Sequence, residues 1–253
     1  RDLNVEYALD AALLGDAKLV LQQLCEEVRR QLGNEGRRGE DATMKEVADS
    51  RRRGLDEWMP RFTATEAPMN PYRVIWDLMQ SVDRTQTIIT HDSGHPRDHL
   101  APFWETLTPR GYIGWGNSTP LGSSLGLALG AKLAAPEKLV IQVFGDAAFG
   151  QSGLDIETAV RERIPILSIL INNSAMGSYE RMQPVAQERF NIKRLSGDYS
   201  GVARALGAYA ERVEDPKDIV PAIKRALGEI NGGRTALLEF ITHEEPAYLR
   251  VGY

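Results

Sequence analysis

The sequence has a single cysteine, Cys25, among 253 residues. That excludes an intrachain disulfide and any multi-cysteine metal site. Cys25 lies in "LVLQQLCEEV", an amphipathic helix pattern, so a packed thiol is expected. No apolar run approaches the ~18 residues of a membrane-spanning helix. No secretory signal is evident at the first residues, and there is no internal repeat or low-complexity tract. Positive charge is in deficit, since 30 Lys and Arg against 35 Asp and Glu give a net charge of −5. A nucleic-acid partner is disfavoured, because phosphate backbones ask for a basic face. What remains, 42% hydrophobic and 26% charged, has the composition of a soluble globular protein. A cytoplasmic enzyme with no nucleic-acid or membrane partner fits it.

Three segments differ in character. In residues 1–32, "DAKLVLQQLCEEVRRQ" carries apolar residues at helical spacing, with Asp16 at its start and Gly33 to stop it. Nothing long enough precedes this helix to form a core with it. The segment is expected to be the C-terminal end of an upstream domain, present in part. Residues 33–70 are charge-rich and read as a linker, with a short surface helix that Trp58, Met59 and Phe62 could dock. The "RRR" at 51–53 has acidic neighbours and is expected to be a solvated face.

From residue 71 to 253, helix and strand patterns alternate. "PYRVIWDLMQSV" is helical with Pro in its first turn, and "TIITH" (87–91) is a short β-branched strand. A helix rich in small residues (119–135) precedes the strand "KLVIQVFG" (138–145). The helix "LDIETAVRER" (154–163) precedes the strand "IPILSILIN" (164–172). A helix over "DYSGVARALG", a strand over "AYAERV", a helix over "DPKDIVPAIKRALGEI" and a strand "TALLEFIT" (235–242) complete the chain. Near-continuous apolar strands separated by helices predict an α/β fold, a doubly wound parallel sheet covered on both faces.

In such a sheet, ligand-binding groups collect beyond the carboxyl ends of the strands. The stretch "GDAAFGQSGLDIETAVRERIPILSILINN" (145–173) puts Asp146 after one strand and Asn173 after the next. If those strands are neighbours, ~5 Å apart, the carboxylate and the amide share one edge. Mg²⁺ takes hard oxygen ligands, commonly one or two from protein and the rest from phosphate and water. Small residues after the acid (Ala147, Ala148, Gly150) let backbone N–H groups approach a phosphate oxygen. Gly-Asp and Asn-Asn are also common turns, and only the strand-helix-strand context makes this a Mg²⁺-diphosphate site.

Residues 145–173 resemble the signature of thiamine diphosphate-dependent enzymes, which opens with Gly-Asp-Gly and closes with Asn-Asn. The likeness takes in "ETAVRERIP" and extends over residues 71–242, the family's diphosphate-binding domain, while "DAALLGDAKLVLQQL" in residues 1–32 resembles the C-terminal end of the family's central domain. "GDAAFGQSGLDIET" is most similar to the acetolactate synthase and 2-hydroxyacyl-CoA lyase branch. Ala147 stands where most relatives have Gly, at a cost of about 1–2 kcal/mol if that position must be left-handed. The resemblance implies thiamine diphosphate and Mg²⁺ as cofactors. Asp146, the Asn173 side chain and the Ala175 carbonyl would then hold the metal. Gly145 and the N–H groups of Ala147 and Ala148 would face the diphosphate. "HDSGHPRDH" (91–99) matches the loop that touches the diphosphate, with Gly94 and His95 as its candidates. A lone loop histidine is often merely solvated, and hard Mg²⁺ prefers oxygen to His95.

By the same resemblance, Leu121 in "STPLGSS" is the apolar wedge under the bent cofactor, and the Thr119 carbonyl accepts from its 4′-amino group. Otherwise Leu121 is core. Gly122, Gly126 and Gly130 are assigned to helix packing, and Asp155 and Glu157 to a structural helix. The family's activating glutamate belongs to a pyrimidine-binding domain that no stretch here resembles. A missing segment or another subunit would supply it, so a homo-oligomer is implied and the chain alone should not turn over. The expected substrate is a 2-keto acid or a 2-hydroxyacyl-CoA. Two alternatives stay open: a non-catalytic cofactor-binding fragment or subunit, and an unrelated nucleotide-binding α/β enzyme.

Overall fold

A computed structural model describes residues 8–34, 42–116, 118 and 120–247. It divides into two units, Arg1–Asp56 and Glu57–Tyr253. In the first unit, α1 (Ala17–Leu32) is capped by Asp16, whose carboxylate accepts from the Leu19 amide, and it ends at Gly33. The helix has no buried residue, and Cys25 is exposed. The packed thiol expected there is therefore not found, because burial needs a second layer against the apolar stripe.

α2 (Ala42–Phe62) begins in the first unit, and its last turn belongs to the second. Arg51, Arg52 and Arg53 lie exposed on it, as a solvated face would. Trp58 and Phe62, in contrast, are buried among Tyr72, Trp76 and Phe103. Met59 is only half-buried. The end of the charge-rich segment is thus part of the second unit's core.

In the second unit, α3 (Pro71–Ser81) starts with the Asn70 side chain accepting from the Tyr72 amide and Pro71 in the first turn. There follow β1 (Thr87–His91), α4 (His95–Leu100), β2 (Tyr112–Ile113), α5 (Ser123–Ala134) and β3 (Leu139–Gly145). The chain continues through α6 (Asp146–Ser152), α7 (Ile156–Arg161), β4 (Leu167–Asn172), α8 (Tyr179–Met182) and α9 (Pro184–Phe190). It closes with α10 (Tyr199–Ala205), β5 (Tyr209–Val213), α11 (Ile219–Asn231) and β6 (Ala236–Ile241).

The six named strands pair in parallel throughout, in the order β2-β1-β3-β4-β6-β5. Alternate residues of each strand enter opposite cores. Ile141, Val143, Ile169 and Leu238 pack under α3 and α11, whereas Val140, Phe144, Leu170 and Leu237 pack under α5, α6, α7 and α10. The sheet is doubly wound and has no solvated face. This is why its strands read as unbroken apolar runs.

Some local expectations shift. The helix expected over 119–135 starts at Ser123. The turn expected directly after β3 is a helix, α6, whose first residue is Asp146. Of the three glycines assigned to packing, only Gly122 is constrained. Its φ is +85° and a Cβ there would lie 3.2 Å from that of Gln151, whereas Gly126 and Gly130 have nothing within 4 Å. Small residues on α5 are not evidence of close approach at each position. Among the described residues, no helix is long and apolar enough to cross a membrane.

Candidate functional site

The chain runs from β1 to β2 on one side of the sheet and returns to β3 on the other side of β1. The segments after β1 and β3 therefore diverge to opposite faces. α4 sends Leu100 into one core, and α6 sends Ala148 and Phe149 into the other. A crevice opens where they part, which is the usual ligand position in an open parallel sheet. It holds a cavity of about 380 Å³, within the range of small-molecule sites.

Three segments that follow strands β1, β3 and β4 wall this cavity. Gly94 and His95 come from the first, Gly145, Asp146, Ala147 and Ala148 from the second, and Asn173 and Ala175 from the third. Leu121 reaches it from the turn before α5 and also packs on the second core. Thr119 lies outside the described residues. Sequence reasoning did not single out Pro96, Gln151, Met176, Gly177 or Tyr179, which also line it. Their only signal was nearness to the motif residues. Asp155 and Glu157 stay outside the cavity, and Glu157 is ion-paired to Arg161 at 3.0 Å.

β3 and β4 are direct neighbours with Gly145 opposite Ile171, which sets Asp146 beside the Asn172-Asn173 turn. Asp146 is 4% exposed. Its Oδ1 accepts from the Ala147 amide at 2.8 Å, while Oδ2 is buried with no hydrogen-bond partner. Burial raises its pKa to about 6, against the lowering effect of the Ala147, Ser174 and Ala175 amides. A buried carboxylate oxygen without a donor costs several kcal/mol unless a cation or proton meets it. Asn173 Oδ1 accepts from the Ala175 amide at 3.1 Å, closing a tight turn. The Asp146 carboxylate and the Asn173 side-chain oxygen on this wall are hard oxygen donors, of the chemistry that fits Mg²⁺. Such a set needs no cluster of three His, Cys, Asp or Glu residues, and none occurs among the described residues.

Ala147 lies in the first turn of α6 and is absent from the left-handed positions. Its β-carbon therefore brings no left-handed strain at this position. His95 packs tightly against Gly177, where a Cβ would lie 2.4 Å from the ring Nε2. Burial lowers the His95 pKa, partly opposed by Asp98, Glu244 and Glu180. His95 is thus a packed wall residue whose burial favours the uncharged ring.

Behind the site lies a run of buried polar groups. Ser168 Oγ donates to Gln142 Oε1 (2.8 Å), Gln142 Nε2 to Ser124 Oγ (2.9 Å), and Ser124 Oγ to Asp92 Oδ2 (2.6 Å). Asp92 is fully buried, and burial raises its pKa despite the Ser124, Ser123 and Gly122 donors.

Residues 92–240 match the family model described as "Thiamine pyrophosphate enzyme, C-terminal TPP binding domain". An acetolactate synthase large subunit of Mycobacterium tuberculosis is 31% identical over 186 residues, covering 72% of this chain and 33% of that protein. A probable acetolactate synthase large subunit of Methanococcus aeolicus is 25% identical over 94% of this chain and 41% of its own length. A sulfoacetaldehyde acetyltransferase of Castellaniella defragrans is 27% identical over 70% and 30%. Among solved structures, a thiamine diphosphate-dependent 4-hydroxybenzoylformate decarboxylase of Rhodococcus jostii shares the fold. Its TM-score is 0.62 at 22% identity, over 73% of this chain and 34% of that one. The chain belongs to the thiamine pyrophosphate enzyme family, on its acetolactate synthase-like side, and carries the C-terminal cofactor-binding domain. It spans between 30% and 41% of the length of these curated relatives.

Proposed function

We propose that this chain holds the metal- and diphosphate-binding half of the active site of a thiamine diphosphate- and Mg²⁺-dependent enzyme. The reaction would make or break a C–C bond next to a carbonyl, of acetolactate synthase or 2-hydroxyacyl-CoA lyase type. The observation that carries this reading is the unpartnered, buried Asp146 Oδ2 on the wall of the switch-point cavity. When bound, thiamine diphosphate supplies a nucleophilic carbon and an electron sink for the carbanion left by C–C cleavage.

The chain's own residues hold and orient. Asp146, the Asn173 side chain and the Ala175 carbonyl provide oxygen to Mg²⁺. Gly145, Ala147 and Ala148 offer a close backbone approach to the diphosphate, which Gly94 and His95 flank from the opposite loop. Leu121 supports the rings. Proton transfer at the aminopyrimidine needs a carboxylic acid, which a pyrimidine-binding domain would supply from elsewhere in the protein or from another subunit. The complete cytoplasmic enzyme is then a homo-oligomer acting on a 2-keto acid or a 2-hydroxyacyl-CoA.

Calorimetric titration with thiamine diphosphate, with and without Mg²⁺, tests the reading. Wild type should bind only with Mg²⁺, Asp146→Ala should not bind, and Asn173→Ala should bind more weakly than wild type, having lost a neutral oxygen only. Equal affinity in wild type and Asp146→Ala would overturn the metal assignment. Assayed alone with pyruvate or a 2-hydroxyacyl-CoA, the chain should show no sustained turnover.

A further inference from the structure

Asn172 and Asn173 are adjacent, yet their side chains go to opposite places. Asn173 lines the cavity, while Asn172 is 3% exposed and turned toward the α10 face of the sheet. There it meets Glu239 on the neighbouring strand β6, a carboxylate with no exposed surface. Leu170 is opposite Glu239 in the register, so Asn172 is the diagonal neighbour on the same face.

Glu239 Oε1 accepts from Asn172 Nδ2 at 2.7 Å, and Oε2 accepts from the Ser200 amide at 2.8 Å. Asn172 Oδ1 in turn accepts from the Ser174 amide at 3.0 Å and from the Ser174 hydroxyl at 3.3 Å. Arg212 Nη1 approaches Glu239 Oε1 at 3.4 Å from the partly exposed rim.

The direction of these bonds matters. Both Glu239 oxygens accept, Oε2 from the Ser200 amide and Oε1 from Asn172, so the NH₂ of Asn172 faces Glu239. The Asn172 oxygen must then face the Ser174 amide. That bond ends on Ser174, whose φ is +54°, a left-handed conformation uncommon for a residue with a side chain. Ser174 sits between Asn173 and Ala175, the two neutral members of the proposed metal set.

We propose that Glu239 is a positioning residue for that site. Acting through Asn172, it sets the 173–175 turn and hence the placement of the Asn173 side-chain oxygen and the Ala175 carbonyl. The cofactor part of this inference rests on the proposed function; the conformational part does not.

The test uses the whole chain and three variants. Glu239→Gln has one acceptor oxygen where two donors need acceptance, so it breaks the chain of bonds while keeping its shape. Asn172→Asp sets two carboxylates against each other. The double variant, Glu239→Gln with Asn172→Asp, restores complementarity. Its introduced amide accepts from the Ser200 N–H and donates to the introduced carboxylate, whose other oxygen accepts from the Ser174 amide.

Two quantities are read, the Mg²⁺-supported affinity for thiamine diphosphate and residue-resolved amide exchange in the cofactor-free protein. Each single variant should weaken affinity about 10–100-fold, as loss of a partner behind a metal ligand typically does. Each should also speed exchange at Ser174 and Ala175 well before the sheet core. The double variant should recover both. Unchanged exchange and affinity in Glu239→Gln would overturn the proposal. A uniform rise in exchange across the sheet without recovery in the double variant would overturn it too, as a general packing role. If wild type binds no thiamine diphosphate, the functional reading fails, and the exchange pattern alone decides for or against the positioning role.

Discussion

Asp92 caps a helix that begins far from it in sequence. Its Oδ1 accepts from the backbone amide of Ser124 at 3.2 Å, and its Oδ2 from the Ser124 hydroxyl at 2.6 Å. The helix's own cap position is Gly122, which has no side chain to offer. The contact ties the loop carrying Gly94 and His95 to the turn carrying Leu121. Asp92→Ala strands buried donors and removes a cap, so we expect a loss of about 2–3 kcal/mol in urea unfolding. A loss below about 0.5 kcal/mol, the range of an ordinary surface substitution, would refute the cap.

Stability should respond to pH through two groups of opposite sign. Burial lowers the His99 pKa to about 4. Its contribution is present above the unfolded value of about 6.5 and is lost as pH falls toward 4. Burial raises the Asp146 pKa to about 6. Its contribution is present below the unfolded value of about 3.9 and is lost as pH rises through 6. The two slopes oppose each other across pH 4–6 in the metal-free protein. Asp146→Asn removes one of them, so acid destabilisation should become steeper than in wild type. Thermal melts at pH 4, 5, 6 and 7 check this, and parallel curves for the two proteins would contradict it.

Leu121 touches both the cavity and the second core. Because it is only half-buried, Leu121→Ala should cost less than the ~2–5 kcal/mol of a full core truncation. In the complete enzyme it should lower turnover more than cofactor affinity, since the diphosphate anchors remain. A stability loss in the full core range with unchanged turnover would make Leu121 a core residue and nothing more.

Ala147→Gly tests whether alanine is tolerated or suited here. Ala147 lies in the first turn of α6 with no left-handed φ, so glycine would add backbone freedom without relieving strain. We expect a loss of up to about 1 kcal/mol and no gain in thiamine diphosphate affinity. A stabilised variant would show that the β-carbon is strained after all.

Local pattern determined much of this protein. The apolar runs at 139–145 and 167–172 read as strands buried on both faces, because a solvated face would have brought alternation. α11 was legible from its period, with Ile219, Ala222, Ile223, Ala226 and Ile230 all buried. The Asp146 and Asn173 bracket needed only that β3 and β4 be neighbours, which short parallel crossovers favour. β2 was not legible, since two residues carry no period. The helical start of α6 was hidden by the small, turn-like residues of "GDAAFG".

Only the tertiary structure decided how the buried polar groups divide their work. Asp92 and Ser124 are 32 residues apart, and Asn172 and Glu239 are 67 apart. A hydrogen bond between such residues leaves no spacing signature, because strand order and register create it. The same register sends Asn172 inward to Glu239 while the turn after it carries Asn173 to the cavity. The sequence shows two identical residues side by side, and the alternation of faces at the end of β4 makes one a support and the other a wall of the site.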